Sequence, residues 1–197
     1  AEPVTASRLA DASTAAVAPA YRDRATGMRG KYIELGRFRL SYLSRQFTDL
    51  RAVAFVINSM SVWRLPALDR IGAFNEGLAI DHVDTEYCLR ARQLGLLIYV
   101  HGGHEFAHAI GERRRFRFLG REMQAGGHGP ARRYLIGRNT LWLARDWLWR
   151  EPAFAFLCAT RLAYEVVGIL IAEDRAMAKL AALLRGACVG LFMPRQT

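Results

Sequence analysis

Three carboxylates within one short stretch are the first residues in this sequence that could do chemistry. Asp81, Asp84 and Glu86 occur in the run IDHVDTEYCLRARQLG. Carboxylates placed where a loop meets a helix can bind a metal ion or act as a general base, because mutual repulsion and partial burial raise one pKa toward the working range. The same spacing fits a structural role, in which acidic residues complement the helix dipole and Glu86 pairs with Arg90 one turn later. Spacing alone leaves both interpretations open.

A second candidate is the metal-binding pattern H-E-x-x-H, which His104, Glu105 and His108 match. On a helix this spacing puts both histidines on one face for zinc, with the glutamate as the base of a zinc peptidase. The segment directly follows a predicted strand and two glycines, and Arg114 stands where the longer pattern has its third histidine. The other interpretation is a strand in which His104, Phe106 and His108 share one face. The zinc metallopeptidase is kept as the alternative function.

Alternating strands and helices must position these groups. The carboxylate helix is expected to begin with Asp84 or Thr85 as its cap and to end before Gly95. We predict strands at residues 14–21, 50–59 and 96–100, and helices at 6–13, 65–71, 152–172 and 175–185, with one more from Pro130 onward. This order predicts an α/β domain at 1–128 followed by a helical tail at 129–197.

Length and composition exclude several classes of protein. A chain of 197 residues with 52% hydrophobic and 23% charged residues is neither disordered nor collagen-like. Its most apolar stretch, Leu162–Ala172, contains Glu165 and falls short of the roughly twenty residues that a spanning helix needs, so we expect no transmembrane segment. The three cysteines form no C-x-x-C pair, which predicts reduced thiols and a cytoplasmic protein.

Charge is concentrated in the second half of the chain. Residues 1–112 carry 13 Lys and Arg against 12 Asp and Glu, whereas residues 113–197 carry 15 against 6, a net charge of +9. This predicts an anionic partner such as a nucleotide, nucleic acid or an acidic membrane face. No nucleic-acid motif accompanies the arginine-rich run at 112–117, so we expect no nucleic-acid partner. The tail aromatics suit peripheral contact with the inner membrane face, or packing onto the domain or a second copy in a homo-oligomer: Trp142, Trp147, Trp149, Phe154 and Phe156.

The stretch from Ile57 to Val100 resembles the second half of a family 2 glycosyltransferase with the GT-A fold, and is most similar to the bacterial rhamnosyltransferase branch. The matching motifs are IGAFNE at 71–76 and IDHVDTEYCLR at 80–90. Further matches are H-x-x-G at 108–111, an "H-x-P-x-R-x-Y, R-N" segment at 128–139, and the C-terminal helix near 184–191. The resemblance implies a partial GT-A (Rossmann-like) domain.

The resemblance also implies a reaction, namely transfer of a sugar from a nucleotide donor with inversion at the anomeric carbon. Under it, Asp84 is the base, Asp81 and Glu86 support it or contact the acceptor, and His108 joins the shell of a Mg²⁺ or Mn²⁺ ion. Diphosphate or acceptor-phosphate contacts fall to His128, Arg132, Arg133, Arg138 and Asn139. The implied donor is dTDP-rhamnose, and the implied acceptor is a cell-surface or lipid-linked glycan.

The sequence also departs from the family pattern. Met60 stands where the family usually has glycine, Asn75 replaces an aspartate, and Ala79 replaces a phenylalanine. The family's nucleotide-binding strands and D-x-D precede the matched region, and this sequence contains no D-x-D. We therefore expect the acceptor-side part of the enzyme, which by itself binds donor poorly or not at all.

Overall fold

A computed structural model describes residues 3–44, 46–109, 114–118 and 120–195. The chain forms two compact units. The first, called the sheet unit here, comprises residues 1–35 and 40–108, and the second, the helical unit, comprises 36–39 and 109–197. The hairpin that follows His108 packs on a helix of the second unit and is counted with it. The division into domains at 1–128 and 129–197 stays a prediction.

The sheet unit is an α/β structure built on a mixed sheet of four strands. The four strands of this sheet are β1 (Thr14–Asp23), β4 (Leu50–Val53), β5 (Val62–Trp63) and β6 (Leu97–His108), and β2 (Ile33–Leu35) and β3 (Leu40–Tyr42) form a separate pair. The helices of the unit are α1 (Pro3–Ala10), α2 (Leu65–Ile71) and α3 (Val83–Gln93). The sheet has the order β4-β6-β1-β5, in which β1 and β6 run parallel and the outer strands are antiparallel. The predicted α/β class is confirmed.

Small residues on β1 let the core close tightly around this strand. Ala15, Ala16, Ala18 and Ala20 are buried and lie in one apolar cluster with side chains of α3 and β6. β6 continues eight residues beyond the predicted end at Val100, because after a register shift between Pro19 and Ala20 it keeps pairing with the carboxyl half of β1. This extension brings the two parallel strands to a common end, where ligands bind in α/β sheets.

The helical unit contains a hairpin and three long helices. The hairpin strands are β7 (Arg114–Phe118) and β8 (Arg121–Ala125), and the helices are α4 (Pro130–Trp147), α5 (Pro152–Ala172) and α6 (Ala176–Phe192). α4 and α6 pack with their backbones in close approach: a Cβ added to Gly186 would overlap the carbonyl oxygen of Tyr134, and one added to Gly190 that of Arg138. This packing explains why α6 continues through both glycines, seven residues past its predicted end.

α5 is the one helix in the described ranges that is long and apolar enough to cross a membrane, with 21 residues and a mean hydropathy of 1.8 over its most apolar window. The expectation that no segment is long enough rested on Leu162–Ala172 alone and was wrong, because the helix predicted from Pro152 is apolar over most of its length. One such helix is weak evidence for a membrane span, because a core helix of a soluble protein can be equally long and apolar.

The three cysteines are free, as expected. Cys88 and Cys158 are buried, and burial raises the pKa of each thiol to about 12, whereas Cys188 is exposed. The tail aromatics divide in the same way: Trp142, Trp147 and Phe154 pack inside the helical unit, and the other two are exposed.

Candidate active site

A tight turn at Asn58–Ser61 lies next to Asp84, the predicted base. The Ser61 N–H donates to the Asn58 carbonyl oxygen over 3.2 Å, and the Ser61 hydroxyl donates to the same oxygen over 2.9 Å. Met60, the third residue of the turn, has φ +61°. A turn that requires positive φ at this position favours glycine, because a Cβ is strained there. Met60, at the position where the resembled family usually has glycine, therefore has a backbone conformation that favours glycine.

Asp84 lies beside this turn, in the first turn of α3. The backbone N–H of Asn58 donates to its carboxylate, and the charge of His108 acts on it. Burial raises the pKa of Asp84, and these two partners oppose the rise without cancelling it. A carboxylate with a raised pKa that still has a hydrogen-bond donor fixing its orientation suits a general base.

The loop before α3 is strained. Ala79, Asp81 and His82 have φ of +57°, +62° and +65°, a region that costs L-residues about 1–2 kcal/mol each. His82 is the N-cap of α3 and makes no side-chain cap hydrogen bond. The expectation that Asp84 or Thr85 caps this helix was therefore wrong, since both lie within its first turn. Strained backbone of this kind persists where the surroundings fix it, and it clusters at functional sites.

His108 lies at the carboxyl end of β6, in register with Asp23 of β1. Its ring packs edge-on against Tyr21, with centroids 5.9 Å apart, and against Phe106 at 5.8 Å. The aromatic neighbours hold the imidazole in place, and its charge lowers the pKa of Asp84. The structure thus brings together two residues that are 24 positions apart in the sequence and that the resemblance had placed at one site.

Glu86 has a different environment from Asp84. It is buried, and its carboxylate lies 2.8 Å from the Nε of Arg90. Arg90 also donates to the carbonyl oxygens of Ile71 and Ala73, each over 2.7 Å. Burial raises the pKa of Glu86 and the Arg90 charge opposes the rise. Glu86 therefore ties α3 to the turn that follows α2, which is the structural interpretation that the spacing allowed.

Two further residues, not anticipated from the sequence, fix α3 in place. The Tyr87 hydroxyl donates to the Gly72 carbonyl oxygen over 3.0 Å, and its ring stacks on Phe74 with centroids 4.2 Å apart. The Cys88 thiol contacts the Val56 carbonyl oxygen at 3.8 Å. Val56 lies two residues before Asn58, so this contact holds the helix that bears Asp84 against the segment that supplies its hydrogen-bond donor.

The H-E-x-x-H residues lie on β6, so the helix that a zinc peptidase requires is absent at this motif. Glu105 forms ion pairs with Arg29 at 2.7 Å and Arg22 at 2.9 Å, which occupies the carboxylate that such an enzyme would use as its base. In the described part of the chain, no group of three or more His, Cys, Asp or Glu could hold a metal ion. The zinc metallopeptidase alternative therefore has no support.

The remaining predicted site residues belong to the helical unit. His128 lies between β8 and α4, and Arg132 lies in the first turn of α4. Arg138 donates through Nε to the Oδ1 of Asn139 over 2.9 Å, and Asn139 is fully buried. The sheet unit thus holds the carboxylates and His108, and the helical unit holds the predicted phosphate contacts.

Arg133 requires a correction. Its side chain is fully buried and forms ion pairs with Glu165 and Glu173. Lys179 lies 3.0 Å from the second of these carboxylates. Burial would raise the pKa of Glu173, but the hydrogen bond from Lys179 and the charge of Arg133 lower it overall. Arg133 is therefore enclosed and neutralised inside the helical unit, which does not fit the predicted contact with a phosphate.

Some predicted features lie outside the described residues. These are the last two residues of the H-x-x-G motif, Ile110 and Gly111, and the start of the arginine-rich run, Glu112 and Arg113. The rest of that run, residues 114–117, lies on β7.

Comparison with known proteins gives one partial match. The chain is 37% identical over 75 residues to a protein of Shigella flexneri described as dTDP-rhamnosyl transferase RfbF, a stretch that covers 38% of this chain. The match spans 24% of the relative's length. No family model matches the chain, and no solved structure matches it. The similarity supports a rhamnosyltransferase-like glycosyltransferase at this coarse level.

Proposed function

We propose that this chain contains the acceptor-side part of an inverting glycosyltransferase of the GT-A, family 2 type, which transfers rhamnose from dTDP-rhamnose to a glycan. The observation on which the proposal rests is the environment of Asp84. Its carboxylate accepts a hydrogen bond from the Asn58 N–H and interacts electrostatically with His108, and burial raises its pKa. The partial similarity to a dTDP-rhamnosyl transferase supports the donor and the reaction class.

Asp84 acts as the general base in the proposed reaction. Its carboxylate takes the proton from an acceptor hydroxyl as that oxygen attacks the anomeric carbon of the sugar. The bond from that carbon to the diphosphate oxygen breaks, and the nucleoside diphosphate leaves with the bonding electrons. Attack on the side opposite the leaving group inverts the anomeric configuration. A carboxylate partly withdrawn from water is a better proton acceptor near neutral pH than an exposed one.

The neighbouring groups position this base. Asn58 orients the carboxylate, Asp81 lies in the strained loop that leads into α3, and Glu86 fixes α3 through Arg90. The family resemblance implies Mg²⁺ or Mn²⁺, but the described residues do not by themselves assemble a metal site. His108 would supply one ligand at most, and we derive no step through a metal ion. Arg132, Arg138 and His128 remain proposed contacts for phosphate.

Product analysis tests this proposal. The product of the complete gene that encodes this sequence is incubated with dTDP-rhamnose and rhamnose-accepting glycans, and dTDP release is measured together with the anomeric configuration of the new bond. We expect acceptor-dependent release of dTDP and a product whose anomeric configuration is opposite to the donor's. A retained configuration, or no release with any nucleotide-sugar, would contradict an inverting transferase.

A further inference from the structure

The helical unit encloses a small cluster of paired charges and leaves several large apolar side chains of α5 and α6 exposed. Arg133 and Lys179 are buried, and both pair with the carboxylate of Glu173. Glu165, one of only two charged residues within α5, turns inward to the same Arg133. Inward-facing, mutually paired charges are typical of helices whose outer surface contacts lipid.

The outward face of α5 is almost wholly apolar. Phe156, Tyr164, Leu170 and Ile171 are exposed, with Phe156 at 66% of its surface. Their spacing puts them on one face of a helix. The other exposed residues of this face are small, namely Ala159, Thr160 and Ala163. The Thr160 hydroxyl donates to the Leu157 carbonyl oxygen over 2.8 Å, so its polar group is satisfied within the helix. No charged side chain interrupts this face.

α6 presents a similar face. Met177, Leu184, Leu191 and Phe192 are exposed at intervals that again fit one side of a helix, with Phe192 at 86%. The opposite side of α6 packs on α4 through backbone contacts at its glycines. Close packing through small residues is the usual mode of association between helices in lipid, where apolar surface gives no driving force for helices to pair.

Aromatic and basic residues at the ends of these faces indicate what covers them. Trp149, just before α5, is 80% exposed, and tryptophan is enriched at the level of lipid headgroups. Arg150 is exposed just before α5 and Arg175 just before α6, and Arg185 is exposed midway along α6, at the border of its apolar face. The net charge of +9 over residues 113–197 complements anionic lipid rather than a second, equally basic copy of the chain.

α5 is suited to lie at the surface and not to span. Its other side is buried through Phe154, Cys158 and Ile169, and Gly168 packs near Ala125 of the hairpin. A helix apolar on one side and covered by protein on the other can enter the headgroup and upper acyl region. We propose that the helical unit binds the surface of an anionic lipid bilayer through the outward faces of α5 and α6. This inference is independent of the transferase proposal.

Vesicle sedimentation of the purified chain tests this proposal, with phosphatidylcholine vesicles that either contain or lack phosphatidylglycerol. We expect binding to the anionic vesicles that weakens with added salt, and a blue shift of tryptophan fluorescence on binding. Replacing two outward side chains, Phe156→Glu with Leu170→Glu, should weaken binding at least about tenfold. Leu65→Glu, at a 74% exposed site on α2, is the matched control and should leave binding unchanged.

The two substituted positions are exposed, so the helix content by circular dichroism should match the parent. If it does not, the milder pair Phe156→Gln with Leu170→Gln replaces it. The proposal is overturned if the parent binds neither kind of vesicle, or if the substituted chain binds as tightly as the parent. It is also overturned if the parent resists alkaline extraction as a spanning protein does, or forms a dimer that the substitutions break without any vesicle binding.

Discussion

Replacing Met60 by glycine should stabilise the sheet unit. Met60 is held at φ +61° by the turn that presents the Asn58 N–H to Asp84, and 66% of its surface is exposed. Removing Cβ relieves about 1–2 kcal/mol of backbone strain. The added freedom of glycine in the unfolded chain takes back about 0.5–1 kcal/mol. Little packing is lost from so exposed a side chain, so we expect a net gain of about 0.5–1 kcal/mol.

Met60→Ala is the matched variant, because alanine keeps Cβ and therefore keeps the strain. Native-state hydrogen exchange of the β1 and β6 amides reports the free energy of unfolding of this unit separately from the helical unit. The expected order of stability is Met60→Gly above Met60→Ala. At Met177, exposed on α6, the order should reverse because alanine favours helix. If glycine is the less stable replacement at position 60 as well, Met60 is not strained at its positive φ.

Three further predictions concern stability. Asp84→Asn should stabilise the sheet unit at neutral pH. The pKa of Asp84 is raised in the folded state, so its ionisation costs folding stability as the pH rises through that pKa. The gain from Asp84→Asn should therefore shrink as the pH falls toward 3.8, which urea unfolding at several pH values measures. In thermal unfolding, Gly186→Ala should destabilise α4–α6 packing by about 1–3 kcal/mol. Gly168→Ala, where an added Cβ meets nothing closer than 3.6 Å, should instead stabilise α5 by up to about 1 kcal/mol. Equal effects of the two substitutions would show that α4 and α6 are not closely packed at Gly186. Arg133→Met should cost about 3 kcal/mol in urea unfolding, because Glu165 loses its ion pair and Glu173 keeps only Lys179. Arg132→Met, at the half-exposed preceding residue, should change stability little.

Elements were predictable where the residues at their ends determine where they begin and end. The helices at Leu65–Ile71 and Pro152–Ala172 are confirmed to the residue, because each begins with or beside a proline and ends at a break in its pattern. β6 extends past its prediction because its last residues are stabilised by pairing with β1, a contact between distant parts of the chain. The hairpin at 114–125 was missed because its arginines indicate a solvated charge run and not a strand.

The candidate site was predictable only in part. The carboxylates and His108 are visible in the sequence, but the hydrogen bond from the Asn58 backbone is not, since any residue type supplies an N–H. The sequence indicated the turn at Asn58–Ser61 only through Met60, which stands where the resembled family usually has glycine. Arg133 was assigned to a ligand because a motif position does not show burial. Its inward orientation follows from carboxylates on α5 and beyond it that lie 32 and 40 residues away in sequence.

The initial rate of sugar transfer by Asp84→Asn in the complete gene product would show whether Asp84 is the catalytic base. Asp69→Asn is the control, since it makes the same chemical change at an exposed position on α2. We expect Asp84→Asn to lower the rate by about 10²–10⁴-fold while the protein stays folded, and Asp69→Asn to keep the parent rate. An Asp84→Asn protein that transfers sugar as fast as the Asp69→Asn protein would show that Asp84 is not the base.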